Sequence, residues 1–151
     1  MVEIIDYSDE YAYDFKQLYL EWLEKYNLTE SHDLEIINDP QKTILSNGGY
    51  IYLAKENNRI IGTAGLAREE RSVFELVKMS VSPAYRGKGI GKLLIEKCLN
   101  KARELNAQKI FLYSNSRLTT AIELYKKYGF IHIDASNSPL LTADVKMELN
   151  L

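Results

Sequence analysis

The chain has 151 residues, a net charge of −2, 46% hydrophobic and 26% charged residues, which is close to ordinary globular usage and implies neither disorder nor a membrane span. No apolar run approaches the roughly 20 residues that span a bilayer, and one cysteine, Cys98, excludes a disulfide framework. A chain of this length buries roughly two thirds of its unfolded surface. That predicts one domain over residues 1–151, and a start without a basic region and apolar core predicts the cytoplasm.

Charge is uneven. Residues 1–40 hold eleven acidic groups against Lys16 and Lys25, which argues against nucleic acid as a partner and marks either a surface that draws cationic amines or a solvated helix face. A first strand is predicted over residues 2–7. Ser8 or Asp9 then caps a long helix to about residue 26, whose apolar face is Phe15, Leu18, Tyr19, Trp22, Leu23 and Tyr26. A second short helix follows Ser31 and closes before Pro40. Asn47, Gly48 and Gly49 form a turn, after which residues 50–55 and 59–66 form a hairpin about Glu56, Asn57 and Asn58. Residues 69–72 turn again, and residues 73–81 form the next strand.

After Pro83 the chain reads Arg86-Gly87-Lys88-Gly89-Ile90-Gly91-Lys92. Then Ile90, Leu93, Leu94, Cys98, Ala102 and Leu105 recur at helical spacing to about residue 106. A helix start has backbone N–H groups without intrahelical partners and the positive end of the dipole, so a glycine-rich helix start suits phosphate oxygens. Over residues 86–103 six basic groups face Glu96 alone. The plainer reading is a glycine-capped loop before a solvated helix. Two phosphate-loop patterns fail. No lysine followed by a hydroxyl stands where a P-loop needs it, and the alternating glycines lack the spacing of a dinucleotide fingerprint. Residues 109–114 form a strand, residues 118–128 a helix stopped by Gly129, and residues 131–133 and 145–149 complete the sheet. The pattern is α/β (α+β), a mixed sheet with helices on both faces. Cys98 lies on the apolar stripe as a core residue, and His32 and His132, without cysteine partners, form no metal site.

The run from Arg86 to Gly91 resembles the coenzyme loop of the GNAT superfamily of N-acetyltransferases, [QR]-x-x-G-x-[GA] after a Val-x-Pro strand end. Ala121-Ile122-Glu123-Leu124-Tyr125-Lys126-Lys127-Tyr128-Gly129-Phe130 resembles that family's A-x-x-L-Y-x-x-x-G-F helix end. The resemblance implies a single-domain GNAT-like fold, a mostly antiparallel sheet of about seven strands with a splayed parallel pair at its centre. It implies acetyl-coenzyme A as cosubstrate and no metal. Arg86, Gly87, Lys88, Gly89, Ile90, Gly91 and Lys92 would meet the pyrophosphate. The backbone of Met79 and Val81 would hold the pantetheine arm, an N–H of Met79 or Ser80 would face the thioester oxygen, and Ser114 and Asn115 would line the far side.

Acetyl transfer to an amine needs alignment, deprotonation and a proton for the leaving sulfur. Glu75 is the predicted base, because strand alternation sets it beside Val77, Met79 and Val81, an apolar setting suited to a carboxylate acting near neutral pH. The alternative for Glu75 is a salt bridge to Arg68 or Arg71. Tyr125 is implied as the acid, with Tyr128 its substitute, although Tyr125 also fits a packed stripe with Leu118, Ala121 and Ile122. Leu118 departs from the family pattern, where an asparagine contacts the coenzyme, and Asn115 and Ser116 stand nearby. Arg117 and Lys126 are further phosphate candidates. By resemblance the acceptor wall comes from residues 9–38, with Tyr11, Trp22 or Tyr26 lining it, and from the loop of residues 136–142.

The expected function is transfer of an acetyl group to a primary amine of a small molecule such as an amino acid or polyamine. The alternatives are a protein or peptide acceptor, or a catalytically silent acyl-coenzyme A-binding module. Pairing of terminal strands in some relatives leaves a homodimer open.

Overall fold

A computed structural model describes residues 1–26, 31–139 and 142–151, with side chains apart from those of residues 26 and 31–33. The elements run β1 (Glu3–Asp6), α1 (Ala12–Tyr26), α2 (Ser31–Asn38), α3 (Pro40–Thr43), β2 (Tyr50–Glu56), β3 (Arg59–Glu70), β4 (Val73–Val81), α4 (Ile90–Glu104), β5 (Lys109–Ser114), α5 (Thr119–Lys127), β6 (Ile131–Ile133) and β7 (Val145–Asn150). The strands form one seven-stranded sheet in the order β1-β2-β3-β4-β5-β7-β6. Every pairing is antiparallel except that of β4 with β5. The mixed sheet with a central parallel pair and helices on both faces is the fold expected from the sequence.

Local chemistry explains the turns. Asn57 and Asn58 adopt φ of 50° and 66° between β2 and β3, the left-handed pair that a two-residue hairpin requires and asparagine tolerates. Pro40 opens α3 because its missing N–H is not needed there, and the Asp39 carboxylate accepts from the Lys42 N–H at 3.1 Å. The sequence reading stopped at Pro40 and so missed α3. It also ended β3 at residue 66, because Arg68, Glu69 and Glu70 are exposed and show no alternation, yet Arg68 and Glu70 pair with Phe74 and Val73.

The sheet separates two apolar layers. On one face α4 buries Ile90, Leu94, Ile95, Cys98, Leu99 and Ala102 against Tyr52, Ala54, Phe74 and Leu76. Leu93 and Leu105, assigned from spacing to this stripe, are instead exposed. On the other face Phe15, Tyr19 and Leu23 of α1 pack with Ile36, Ile37, Ile44, Ile51 and Leu53.

Two irregularities in β4 position the site. The first is a β-bulge. Val77 pairs with Gly65 and Ser80 with Thr63, so Lys78 and Met79 together oppose Ala64, and Lys78 takes φ of 56°. One extra residue reverses the alternation beyond it. Phe74, Leu76, Met79 and Val81 join the α4 layer, and Val77 joins the α1 layer. Glu75 therefore shares its face with Val77, Lys78 and Ser80. The expected row of Glu75 with Met79 and Val81 is broken by an insertion that a period of two cannot reveal.

The second irregularity is splaying. β4 pairs with β5 at Val73 with Lys109, Phe74 with Ile110 and Glu75 with Phe111. Beyond those three pairs the strands part, while β5 stays paired to β7 as far as Ser114 with Val145.

Candidate active site

The gap between β4 and β5 opens into a cleft of about 870 Å³. Its walls include Glu75 through Val81 of β4, Ser114 and Asn115 at the end of β5, the loop residues Arg86, Gly87 and Gly89, and Ile90, Gly91 and Lys92 of α4. Leu124, Tyr125 and Lys127 of α5, and Tyr19, Trp22, Leu23 and Ile36 of α1 and α2, complete it. Of the residues predicted to hold the coenzyme or act on it, Glu75, Met79, Ser80, Val81, Arg86, Gly87, Gly89, Ile90, Gly91, Lys92, Ser114, Asn115 and Tyr125 meet on this one cleft, and Lys88 does not. Lys88 holds its ammonium 5.2 Å from the ring centroid of Tyr85.

The glycine loop is built by backbone. Gly87 and Gly89 have φ of 76° and 80°, values that cost a residue with a side chain about 1–2 kcal/mol. A Cβ at either would meet no protein atom within 4 Å, so these glycines are required by conformation, and a side chain there would fill the space over the loop. Gly89 caps the 15-residue α4, whose first N–H groups have no partner within the helix. Arg86 donates from Nε to the Val81 carbonyl at 3.3 Å. Exposed donors, left-handed glycines and the cations of Arg86 and Lys92 fit an anionic diphosphate. Along β4, the edge of residues 76–81 that faces the cleft has no strand partner among the described residues, so its amides and carbonyls can receive an extended ligand as a strand would.

Tyr125 is 7% exposed and packs its ring against Phe130 at 5.9 Å. Burial, with a smaller contribution from Cys98, pushes its phenol pKa well above 10, so at neutral pH the hydroxyl is a donor. Tyr128, the substitute, is engaged elsewhere. Its hydroxyl donates to Glu96 of α4, and it is absent from the cleft walls. Cys98 is fully buried in the α4 layer, where desolvation pushes its pKa up to about 12, so it is a thiol in the core and not a nucleophile. Among the described residues no group of histidine, cysteine and carboxylate side chains could hold a metal ion.

Other expectations are corrected. Tyr11 is not on the cleft, since its hydroxyl accepts from the Lys55 ammonium at 3.2 Å. Lys126 pairs with Glu123 at 3.6 Å, and its neighbour Lys127 lines the cleft with Arg117 instead. The Asn115 side chain donates to the Thr142 carbonyl at 2.6 Å and accepts from the Arg117 N–H and Nε at 3.0 and 3.1 Å. Ser116 donates twice to Asp144. Asn115 and Ser116 thus fasten the β5–α5 connection to the residues before β7. Trp22 lies on the cleft as expected, whereas the side chain of Tyr26 and residues 140–141 lie outside the described residues.

Sequence reasoning missed Lys78. It is 5% exposed, lines the cleft, and holds its ammonium 4.6 Å from the Tyr19 ring centroid. A cation–π contact of this kind contributes about 0.5–2 kcal/mol. The signal was present: in Phe74-Glu75-Leu76-Val77-Lys78-Met79, a lysine interrupts a strand that is otherwise buried on alternate positions.

A family model described as the acetyltransferase (GNAT) family matches residues 12–130, which contain the glycine loop, the splayed pair and Tyr125. The chain belongs to the GNAT family. An acetyltransferase of this family from Staphylococcus aureus Mu50 superposes with a TM-score of 0.90 at 27% identity, over 100% of this chain and 99% of that one. The PaiA N-acetyltransferase of Thermoplasma acidophilum, in complex with coenzyme A, shares the fold with a TM-score of 0.80 at 21% identity, over 100% and 99% of the two chains. An uncharacterized N-acetyltransferase of Escherichia coli K12, YjgM, is 36% identical over 95 residues, which are 60% of this GNAT chain and 57% of the length of the E. coli protein. No helix among the described residues is long and apolar enough to cross a membrane.

Proposed function

We propose that this chain is an acetyl-coenzyme A-dependent N-acetyltransferase, one catalytic domain that transfers an acetyl group directly to the primary amine of a small molecule. The single observation that carries the reading is the cleft between β4 and β5, which runs from the glycine loop at α4 to Tyr125. The binding of coenzyme A by the Thermoplasma relative supports the choice of cosubstrate.

Acetyl-coenzyme A supplies a reactive thioester. The chain aligns it: Gly87, Gly89 and the start of α4 take the pyrophosphate with Arg86 and Lys92, and the unpaired edge of Met79 and Val81 takes the pantetheine arm. Near-attack alignment contributes about 7–11 kcal/mol. An amide of Met79 or Ser80 donates to the thioester oxygen as charge gathers there, worth about 3–4 kcal/mol. An alkylamine titrates near ~10.4 and must lose a proton to attack. Glu75 takes that proton, nitrogen bonds to the carbonyl carbon, the Tyr125 hydroxyl donates to sulfur as the carbon–sulfur bond breaks, and the second proton lost by the nitrogen restores the phenol. Products are the amide and the free thiol. No covalent enzyme intermediate is needed, in keeping with the inert Cys98.

The test is thiol release from acetyl-coenzyme A against amino acids, polyamines, aminoglycosides and short peptides, with coenzyme binding followed by calorimetry. Glu75→Gln and Tyr125→Phe are each expected to lower turnover by about 10²–10⁴-fold while coenzyme affinity stays within about threefold of wild type. Coenzyme binding without thiol release from any amine would favour a silent acyl-coenzyme A-binding module.

A further inference from the structure

The transfer just described gives no role to Lys78, whose ammonium lies against Tyr19 on the cleft that Trp22 and Glu75 also line. Of the other cations on the cleft, Arg86 and Lys92 stand at the glycine loop, Arg117 in the β5–α5 connection and Lys127 at the end of α5. Two features mark Lys78 as more than a solvated lysine. The bulge holds it in a left-handed conformation, φ 56°, which glycine or asparagine adopts more readily, and non-glycine residues in that region gather at functional sites. The bulge also turns its side chain toward α1, where it is 5% exposed.

An independent observation lies two residues on. Ser80, on the same face and also lining the cleft, is 4% exposed, and its hydroxyl has no hydrogen-bond partner among the described residues. A buried hydroxyl left unmatched calls for an explanation. One acceptor class satisfies both groups, because an ammonium with three donor hydrogens and a serine hydroxyl can each donate to a carboxylate.

We infer that Lys78, assisted by Ser80, anchors a carboxylate of the acceptor, so that the amines taken are amino-carboxylates and not polyamines. The inference rests on the transferase reading. Glu75 and Lys78 lie three positions apart on one face of β4, about 10 Å along a regular strand and less across the bulge. Side chains at the two ends of that span suit the two ends of an amino acid: the amine at Glu75, the carboxylate at Lys78. A polyamine would set ammonium against ammonium. The acidic excess of residues 1–40 does not offset this, because among the described residues that segment contributes only Tyr19, Trp22, Leu23 and Ile36 to the cleft.

The experiment compares matched pairs in the thiol-release assay, each α- or ω-amino acid beside the amine left when its carboxylate is removed, with polyamines included. Wild type is expected to favour the acid by about 100-fold or more in kcat/KM, as a site built to bond a polar group rejects the analogue lacking it. In Lys78→Met the preference should vanish through a KM for the acid raised about 100-fold or more, with kinetics on the matched amine little changed, and Lys78→Arg should recover part of it. Wild type that accepts the decarboxylated amine or a polyamine equally well overturns the inference and leaves the transferase reading standing. Equal losses on acid and amine in Lys78→Met, with coenzyme affinity intact, also overturn it, because they mark a support for the fold. No thiol release from any compound overturns both readings.

Discussion

The two ends of the cleft are made of different materials. At the α4 end the binding surface is backbone: two left-handed glycines, a helix start and unpaired strand amides. At the α1 end it is side chain: Tyr19, Trp22, Ile36, Lys78. A backbone site restricts which residues can stand there at all, whereas a side-chain wall restricts only size and polarity. The first end therefore suits a ligand part that never changes, and the second suits one that differs from enzyme to enzyme.

Substitutions at the glycine end sharpen this contrast, and the largest effect is expected at Gly89. Gly89→Ala forces a Cβ into φ 80° and into the space over the loop, and the dissociation constant for acetyl-coenzyme A should rise about 10–100-fold by calorimetry. Acceptor KM at saturating coenzyme should hardly move. If instead both ends weakened together, the cleft would behave as one unit and the division would fail.

A smaller effect is expected from Cys98→Ala, which separates the core from the chemistry. The thiol is buried and held protonated, so kcat should stay within twofold of wild type while the cavity costs about 1–2 kcal/mol. A thermal scan should register that as a fall of about 2–8 °C in Tm. A collapse of kcat in this variant would revive a covalent route. The smallest effect belongs to Gly91→Ala. Gly91 lies within α4, and a Cβ there would meet Met79 Cε at 3.4 Å and Leu124 Cδ2 at 3.5 Å, ordinary contacts, while alanine favours the helix by up to ~1 kcal/mol. Coenzyme affinity and Tm should be close to wild type, in contrast with Gly89 two residues earlier.

The same contrast explains what the sequence could tell. The loop was legible because Gly87 and Gly89 stand where only glycine suits the backbone, and the strands and α4 were legible because apolar residues repeat at regular periods. The bulge was not. Lys78 carries no mark of a left-handed conformation, and one inserted residue exchanged the neighbours of Glu75 from Met79 and Val81 to Lys78 and Ser80. α3 and the last turns of β3 were hidden in the same way, by a proline that opens a helix and by exposed charges on a paired strand. Tyr11 shows the limit of resemblance, which assigns it to the acceptor wall with Trp22, yet it lies just before α1 and reaches Lys55 and not the cleft.

The short seam between β4 and β5 has a further consequence. β1 to β4 and β5 to β7 are two leaves, joined at Val73, Phe74 and Glu75 and apart from there on. A pantetheine arm laid along residues 76–81 would serve as the missing rung between them, so folding stability becomes partly a property of the cell's acetyl-coenzyme A level. At 100 times its dissociation constant such a ligand adds about 2.7 kcal/mol. A drop in that pool would then loosen the enzyme as well as idle it.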